Sequence, residues 1–228
     1  MPSPLRFLLV CGTALVLTLT ALAQTPPVTR TLYLVRHGYY DAVAGADSKT
    51  ANALNATGRA QAELLAAHLA SLPVKFSAVT SSEFTRARET GDAIAAKLRF
   101  ACARDESLNE CTPPGAGVAE KDVDAGATAQ LERAWQRYTQ PAKGVSTSEI
   151  LACHGNVIRW FVCRALGVDP RQWTRMEIAN CSITIIQVRA DGTTRLQVFN
   201  DVSHVPREQQ TWSGRGPGWP LPAQAARR

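Results

Sequence analysis

Short apolar runs alternate with amphipathic stretches along the chain, and this pattern predicts an α/β protein. Short, mostly apolar runs at 32–35, 76–80 and 149–153 are typical of buried strands. Between and after these runs, apolar residues recur at helical spacing in four stretches, 59–72, 83–98, 128–138 and 156–166. Pro73 and Gly167 are suitable residues to end the first and the last of these helices.

The end of this pattern predicts a β-hairpin. Residues 182–188 alternate apolar and polar positions, Asp191-Gly192 can form a turn, and 194–199 return as a second strand. We also expect a short edge strand near 100–103 and, from 104 to 127, a loop over one end of the sheet. The resulting fold class is a three-layer α/β/α sandwich with a mostly parallel mixed sheet and an antiparallel edge.

The first 23 residues differ from the rest of the chain. Arg6 is their only charge, residues 7–22 are mostly apolar, and Ala21-Leu22-Ala23 forms an A-x-A pattern. This layout is typical of a secretory signal peptide that is cleaved after Ala23. We therefore expect a periplasmic or secreted protein with no membrane span after cleavage, and the alternative is an uncleaved membrane anchor.

The rest of the chain divides into three parts. We predict that residues 24–30 form an exposed leader and that residues 31–205 form a single folded domain. Residues 206–228 are rich in Pro, Gly, Gln and Arg, which predicts a flexible tail without catalytic residues.

Charge and composition narrow the function classes. The formal net charge is +6, which suits an anionic substrate. The Lys and Arg residues are scattered, and no basic run is interleaved with aromatic residues, so nucleic-acid binding is not expected. No Cys or His spacing typical of a metal site occurs, so neither a metal nor another cofactor is predicted.

Five cysteines follow residue 23, and an exported protein can form disulfides from them. An odd number leaves at least one thiol free. Cys102 and Cys111 are nine residues apart in a loop-rich region, and they are the predicted pair. Cys153 and Cys163 lie in apolar stretches, where we expect them to pack as small hydrophobic residues.

Two predicted strands run directly into a histidine and a glycine, at Arg36-His37-Gly38 and at His154-Gly155. Strand ends of this kind form the ligand crevices of open α/β sheets. An arginine beside a histidine at such a place indicates an anion, with phosphate as the first candidate. The alternative is that the two histidines are independent turn residues at solvated strand ends.

Two further residues are candidates for the same site. Arg86 is expected in the first turn of its helix, where free N–H groups and the helix dipole favour an anion. Glu110 lies in the loop that should cover the same end of the sheet. A single loop glutamate is usually only solvated, so Glu110 alone carries little information.

The motifs together resemble the histidine phosphatase superfamily, in its phosphoglycerate mutase-like branch. The order and spacing of these motifs match the family across 31–205. The segments that carry the resemblance are Leu-Val-Arg-His-Gly at 34–38, Leu-Asn-Ala-Thr-Gly-Arg-Ala-Gln-Ala at 54–62, Ser-Ser-Glu-Phe-Thr-Arg-Ala-Arg-Glu-Thr at 81–90, Leu-Asn-Glu at 108–110 and His-Gly-Asn-Val-Ile-Arg at 154–159. Residues 153–166 are especially similar to the protein-phosphatase subgroup of this branch.

The resemblance implies a metal-independent phosphatase that hydrolyses phosphomonoesters. It implies that His37 is the nucleophile and becomes phosphohistidine. Arg36, Arg86 and His154 would surround the transferring phosphoryl group and stabilise its charge. Glu110 would protonate the leaving alcohol and then activate water. The implied substrate is a phosphorylated small molecule or a phosphoprotein.

The chain departs from the metabolic members of the branch directly after Gly38. Those enzymes typically have Glu-Ser or Glu-Thr there, followed by an Asn that helps to hold phosphate, whereas this chain has Tyr39-Tyr40-Asp41. A carboxylate at this place would repel phosphate. The segment between Glu110 and His154 is also short, and an open site favours hydrolysis over retention of an intermediate. The alternatives are a phosphomutase and a decayed module that only binds phosphate or a phosphopeptide.

Overall fold

Helices cover both faces of a six-stranded mixed sheet within residues 27–212, the part of the chain that the computed structural model describes. The strands are β1 Arg30–Arg36, β2 Ala78–Ser81, β3 Cys102–Arg104, β4 Thr147–Cys153, β5 Ile183–Val188 and β6 Thr194–Asp201. Their order is β3-β2-β4-β1-β5-β6, with the first four parallel and β5 and β6 antiparallel. The predicted fold class is confirmed.

In the described part of the chain, four α-helices connect the strands, α1 Ala56–Ser71, α2 Thr85–Leu98, α3 Ala127–Tyr138 and α4 Gly155–Leu166. α1 begins at Asn55, whose side chain accepts a hydrogen bond from the backbone N–H of Gly58. α4 ends at Gly167, which adopts the left-handed conformation common at helix C-termini. Four short 3-10 helices lie in the loops, Glu106–Leu108, Glu120–Asp122, Pro170–Arg175 and Arg207–Gln209.

The two faces of the sheet bury separate hydrophobic clusters. In β1, Leu32 and Leu34 point toward α3 and α4, whereas Tyr33 and Val35 point toward α1 and α2. Successive strand residues face opposite sides of a sheet, so a central strand that is covered on both sides needs an unbroken apolar run. This requirement explains the apolar sequence that precedes Arg36.

The strand register aligns the residues that follow β1, β2 and β4. Arg36 pairs with Cys153, so His37 and His154 leave the sheet at the same level. The His37 backbone N–H donates to the Cys153 carbonyl at 3.0 Å, and the Ser82 N–H donates to the Ala152 carbonyl at 2.9 Å. Three loops therefore meet at the carboxyl edge of the parallel strands.

The packed region extends beyond the predicted end at Val205. Thr211 and Trp212 are buried, and Trp212 forms an isolated β-bridge with Ala179. Thr211 and Trp212 therefore differ from the predicted flexible tail, because they pack against Ala179 and Asn180, and the Asn180 N–H donates to the Thr211 carbonyl at 2.9 Å. The rest of that prediction, 213–228, lies outside the described residues.

The predicted signal peptide, 1–23, and residues 24–26 of the predicted leader also lie outside the described residues. Within 27–212, no helix is both long and apolar enough to cross a membrane.

The predicted disulfide between Cys102 and Cys111 is wrong, since both are free thiols. Cys102 packs against the cluster under α1 and α2, whereas Cys111 belongs to the cluster under α3 and α4. The sheet separates the two clusters, and a short sequence distance does not overcome that separation. Cys153 and Cys163 are buried among apolar side chains, as predicted.

Candidate active site

The structure brings the side chains of all five predicted site residues together at the carboxyl edge of the sheet. The rings of His37 and His154 have centroids 5.1 Å apart. Arg86 Nε lies 3.2 Å from His37 Nε2, and Glu110 Oε2 lies 4.0 Å from His154 Nδ1. Arg36, His37 and Glu110 line one cavity of about 550 Å³.

The imidazole of His37 is held in one orientation. Its Nδ1 lies 2.8 Å from the Gly38 carbonyl oxygen, which can only accept, so Nδ1 carries the proton. Nε2 therefore has a free lone pair and accepts a hydrogen bond from Arg86 Nε. Burial, together with the charges of Arg36, His154 and Arg86, holds the pKa of His37 well below its usual value.

Arg36 is almost fully buried at the end of β1. Its Nη1 donates to the Ile178 carbonyl at 2.7 Å, which fixes the guanidinium group. Its Nε is buried and has no hydrogen-bond partner in the described part of the chain, so it can donate to an anion. Burial lowers the pKa of Arg36 to about 10, although the carboxylate of Glu110 acts in the opposite direction. The group therefore stays cationic near neutral pH.

Arg86, in the first turn of α2, is held between two aromatic rings. Its guanidinium carbon lies 4.8 Å from the ring centroid of Tyr40 and 5.0 Å from that of Phe84. Nη1 donates to the Ser48 carbonyl at 2.9 Å. These contacts aim Nε at His37 with little freedom to move.

Glu110 places its carboxyl group beside three arginines. Its side chain is 27% exposed, but Oε1 is buried without a hydrogen-bond partner in the described residues. Burial raises the pKa of Glu110, and the charges of Arg86, Arg36 and Arg159 limit that rise. A carboxyl group with a raised pKa is suited to donate a proton.

His154, directly before α4, is fully buried. Its Nε2 lies 2.8 Å from Ser82 Oγ, and its Nδ1, also buried, has no hydrogen-bond partner among residues 27–212. Burial, with the charges of Arg86 and Arg36, holds the pKa of His154 well below its usual value. The free nitrogen thus faces Glu110, which lines the cavity.

Two residues without a predicted role support this site; Thr90 ends the motif at 81–90, and Asn180 lies outside the motifs. Asn180 donates from Nδ2 to the His37 carbonyl at 3.0 Å, and Thr90 accepts from the Gly38 N–H at 3.0 Å. Arg159 ends the motif at 154–159, but no role was predicted for it. It lies one helical turn after Gly155 and donates a hydrogen bond to the Gly155 carbonyl. The four-residue spacing from Gly155 to Arg159 places both on the same face at the start of α4, and this spacing could have indicated that Arg159 lies near the site.

Comparison with known proteins identifies the family. The family model "Histidine phosphatase superfamily (branch 1)" matches residues 32–152 and 112–202. The chain belongs to this superfamily. The resemblance seen in the motifs is therefore confirmed, and two of its segments, 34–38 and 108–110, contribute residues to the cavity wall.

Curated relatives within the family share about a third of the aligned residues. The chain is 36% identical over 195 residues to the mitochondrial serine/threonine-protein phosphatase PGAM5 of Homo sapiens, covering 81% of this chain and 67% of that protein. It is 34% identical over 189 residues to mitochondrial Pgam5 of Caenorhabditis elegans, covering 78% and 65%. The chain thus spans about two thirds of the length of these relatives.

Solved structures show the same fold. Phosphoglycerate mutase from Plasmodium falciparum superposes with a TM-score of 0.56 at 27% identity, covering 78% of this chain and 95% of that one. The α-ribazole phosphatase from Shigella flexneri gives a TM-score of 0.60 at 20% identity, covering 75% and 96%.

The predicted periplasmic or secreted location is wrong, because the relatives that match the chain are named as mitochondrial phosphatases. The prediction rested on the apolar stretch before Ala23. An apolar N-terminal stretch with one cation is compatible with a membrane anchor as well as with a cleaved leader, so it does not define a compartment.

Proposed function

We propose that the chain is a metal-independent phosphatase that hydrolyses phosphomonoesters through a phosphohistidine at His37. One observation carries this proposal. The unprotonated Nε2 of a buried, neutral His37 lies beside the guanidinium group of Arg86. A lone pair next to a fixed cation can attack phosphorus while the cation draws in the phosphoryl oxygens.

The first chemical step uses three kinds of side chain. The His37 Nε2 lone pair forms the N–P bond as the bond from phosphorus to the leaving oxygen breaks. Arg36 and Arg86 stabilise the charge on the equatorial oxygens. The leaving oxygen takes a proton from the Glu110 carboxyl group, so an alcohol departs.

The second step returns the site to its starting state. Water attacks phosphorus, the carboxylate of Glu110 takes the water proton, and the N–P bond breaks. Inorganic phosphate leaves, and the lone pair returns to His37 Nε2. The same carboxyl group thus acts as acid and then as base.

Hydrolysis is favoured over phosphate transfer by the lining of the cavity. Asp41 contributes to the wall together with Tyr39, Tyr40 and Trp212. A phosphomutase must hold an intermediate with two phosphate groups, and a carboxylate in the wall repels the second one. Because the matched relatives are named serine/threonine-protein phosphatases, we propose a phosphoprotein as the substrate class.

His37→Ala tests the proposal on an aryl phosphate and on a phosphoserine peptide. We expect a loss of at least about 10³-fold in kcat on both substrates, because the variant lacks the nucleophile. His68→Ala is the matched control, since His68 lies in the last turn of α1, and it should retain activity. Undiminished turnover by His37→Ala would refute the mechanism, and phosphate binding without any release by the wild type would favour the binding module.

A further inference from the structure

Ser82 contacts three polar groups at the end of β2. Its Oγ lies 2.9 Å from Asn109 Oδ1, 3.1 Å from the backbone nitrogen of Phe84 and 2.8 Å from His154 Nε2. The residue is fully buried, so these groups are satisfied within the protein.

The direction of each of these hydrogen bonds follows from backbone groups. The Glu83 N–H donates to Asn109 Oδ1 at 2.9 Å, which identifies that atom as the amide oxygen. The Ser82 hydroxyl must therefore donate its single proton to Asn109. The Phe84 N–H donates to Ser82 Oγ, and the remaining lone pair of Oγ faces His154 Nε2. Nε2 can only be the donor in this contact.

We propose that Ser82 is a positioning residue that holds His154 in its Nε2–H tautomer and keeps Nδ1 unprotonated toward Glu110. Nothing in the sequence motifs required this role. A hydroxyl whose own proton is already committed can accept from Nε2 but cannot donate to it. The state of a buried histidine is thus set by two backbone N–H groups, those of Glu83 and Phe84.

The tautomer has a consequence for phosphate binding, and this part of the inference rests on the proposed function. Nδ1 can donate to a phosphoryl oxygen only after it gains a proton from solvent, which makes His154 a cation. Ser82 still accepts from Nε2 in that cation, so both N–H groups have acceptors. Without Ser82, a buried Nε2–H would lose its acceptor, and the neutral Nδ1–H tautomer would be favoured.

Imidazole ¹⁵N NMR of the histidine-labelled protein reads the tautomer directly, independently of any activity. At pH 7.5 we expect His154 to have a protonated Nε2 and an unprotonated Nδ1. Two other histidines are internal references, because carbonyl acceptors fix His204 as Nε2–H and His37 as Nδ1–H. The His154→Gln variant assigns the signals. A protonated Nδ1, or a fast mixture of the two tautomers, in wild-type His154 would overturn the proposal.

Two substitutions distinguish the effect of the Ser82 hydroxyl group from the effect of side-chain volume. Ser82→Ala should move His154 toward the Nδ1–H tautomer, whereas Ser82→Thr should retain the wild-type spectrum. We expect kcat to fall about 10- to 100-fold in Ser82→Ala, as for outer-sphere partners that fix metal-bound histidines, and to recover largely in Ser82→Thr. A wild-type His154 spectrum in Ser82→Ala would also contradict the proposal. If Ser82→Ala does not fold, the wild-type spectrum still tests whether His154 is in the Nε2–H tautomer.

Discussion

At the residue scale, burial shifts the pKa values of the two histidines and of Glu110 in opposite directions. The pKa values of His37 and His154 are held well below their usual range, first by burial and then by neighbouring cations. Burial raises the pKa of Glu110. The low pKa of His37 leaves the nucleophile deprotonated near neutral pH, and the raised pKa of Glu110 makes its carboxyl group a better proton source than an exposed glutamate. Such divergence is what an acid and a nucleophile in one site require.

The role of Glu110 predicts a dependence on the leaving group. Glu110→Gln removes the proton that the leaving oxygen needs, so we expect kcat to fall about 10²- to 10⁴-fold on a phosphoserine peptide. The loss should be much smaller for p-nitrophenyl phosphate, because nitrophenolate departs without a proton. Single-turnover kinetics on both substrates measures this first step, and equal losses would exclude Glu110 as the acid.

At the element scale, the turn after β1 is held by the start of α1. A side chain at Gly58 would overlap the carbonyl of Tyr39, and one at Gly38 would overlap the carbonyl of Gly58. The Tyr39 N–H donates to Gln61 at 3.0 Å, and the Asn55 N–H donates to the Tyr39 carbonyl at 3.2 Å. These contacts place the backbone of the site against a helix with no space for a methyl group.

Gly58→Ala tests this close approach. The added methyl group must displace the turn or α1, and we expect a loss of about 1–3 kcal/mol in the free energy of unfolding. Activity should fall too, because the turn carries Tyr39 and Tyr40 into the cavity wall. Urea denaturation measures the stability. Thr57→Ala, at the neighbouring position of α1, is the control and should change stability by less than about 0.5 kcal/mol. Equal stability of both variants would show that the turn is not confined.

Local sequence was sufficient to predict the helices and strands but not the contacts between loops. The strands before His37 and His154 were predictable because an apolar run and a following His-Gly are local features. The contact of Asn180 with the His37 carbonyl was not, because residues 143 positions apart meet only through the fold of the sheet. The disulfide prediction failed for the same reason, since sequence spacing does not show on which face of the sheet a cysteine lies.

At the scale of the whole molecule, the strand order assembles the site from distant segments. β1 lies between β4 and β5, and β2 lies on the other side of β4. This order brings the residues after β1, β2 and β4 to one edge, which the alternation of strands and helices predicted without fixing the order. The last of the described residues, Trp212, contributes to the cavity wall at a position that the sequence predicted to be in a flexible tail.

Trapping the covalent intermediate tests directly whether His37 is the nucleophile. Wild-type protein is mixed with a phosphoserine peptide, quenched in alkali within the first turnover and digested for mass spectrometry. We predict an acid-labile, alkali-stable phosphoryl group on His37, formed at least as fast as turnover and absent from His37→Ala. Turnover without a phosphoryl group on His37, or with one on a different residue, would contradict the account.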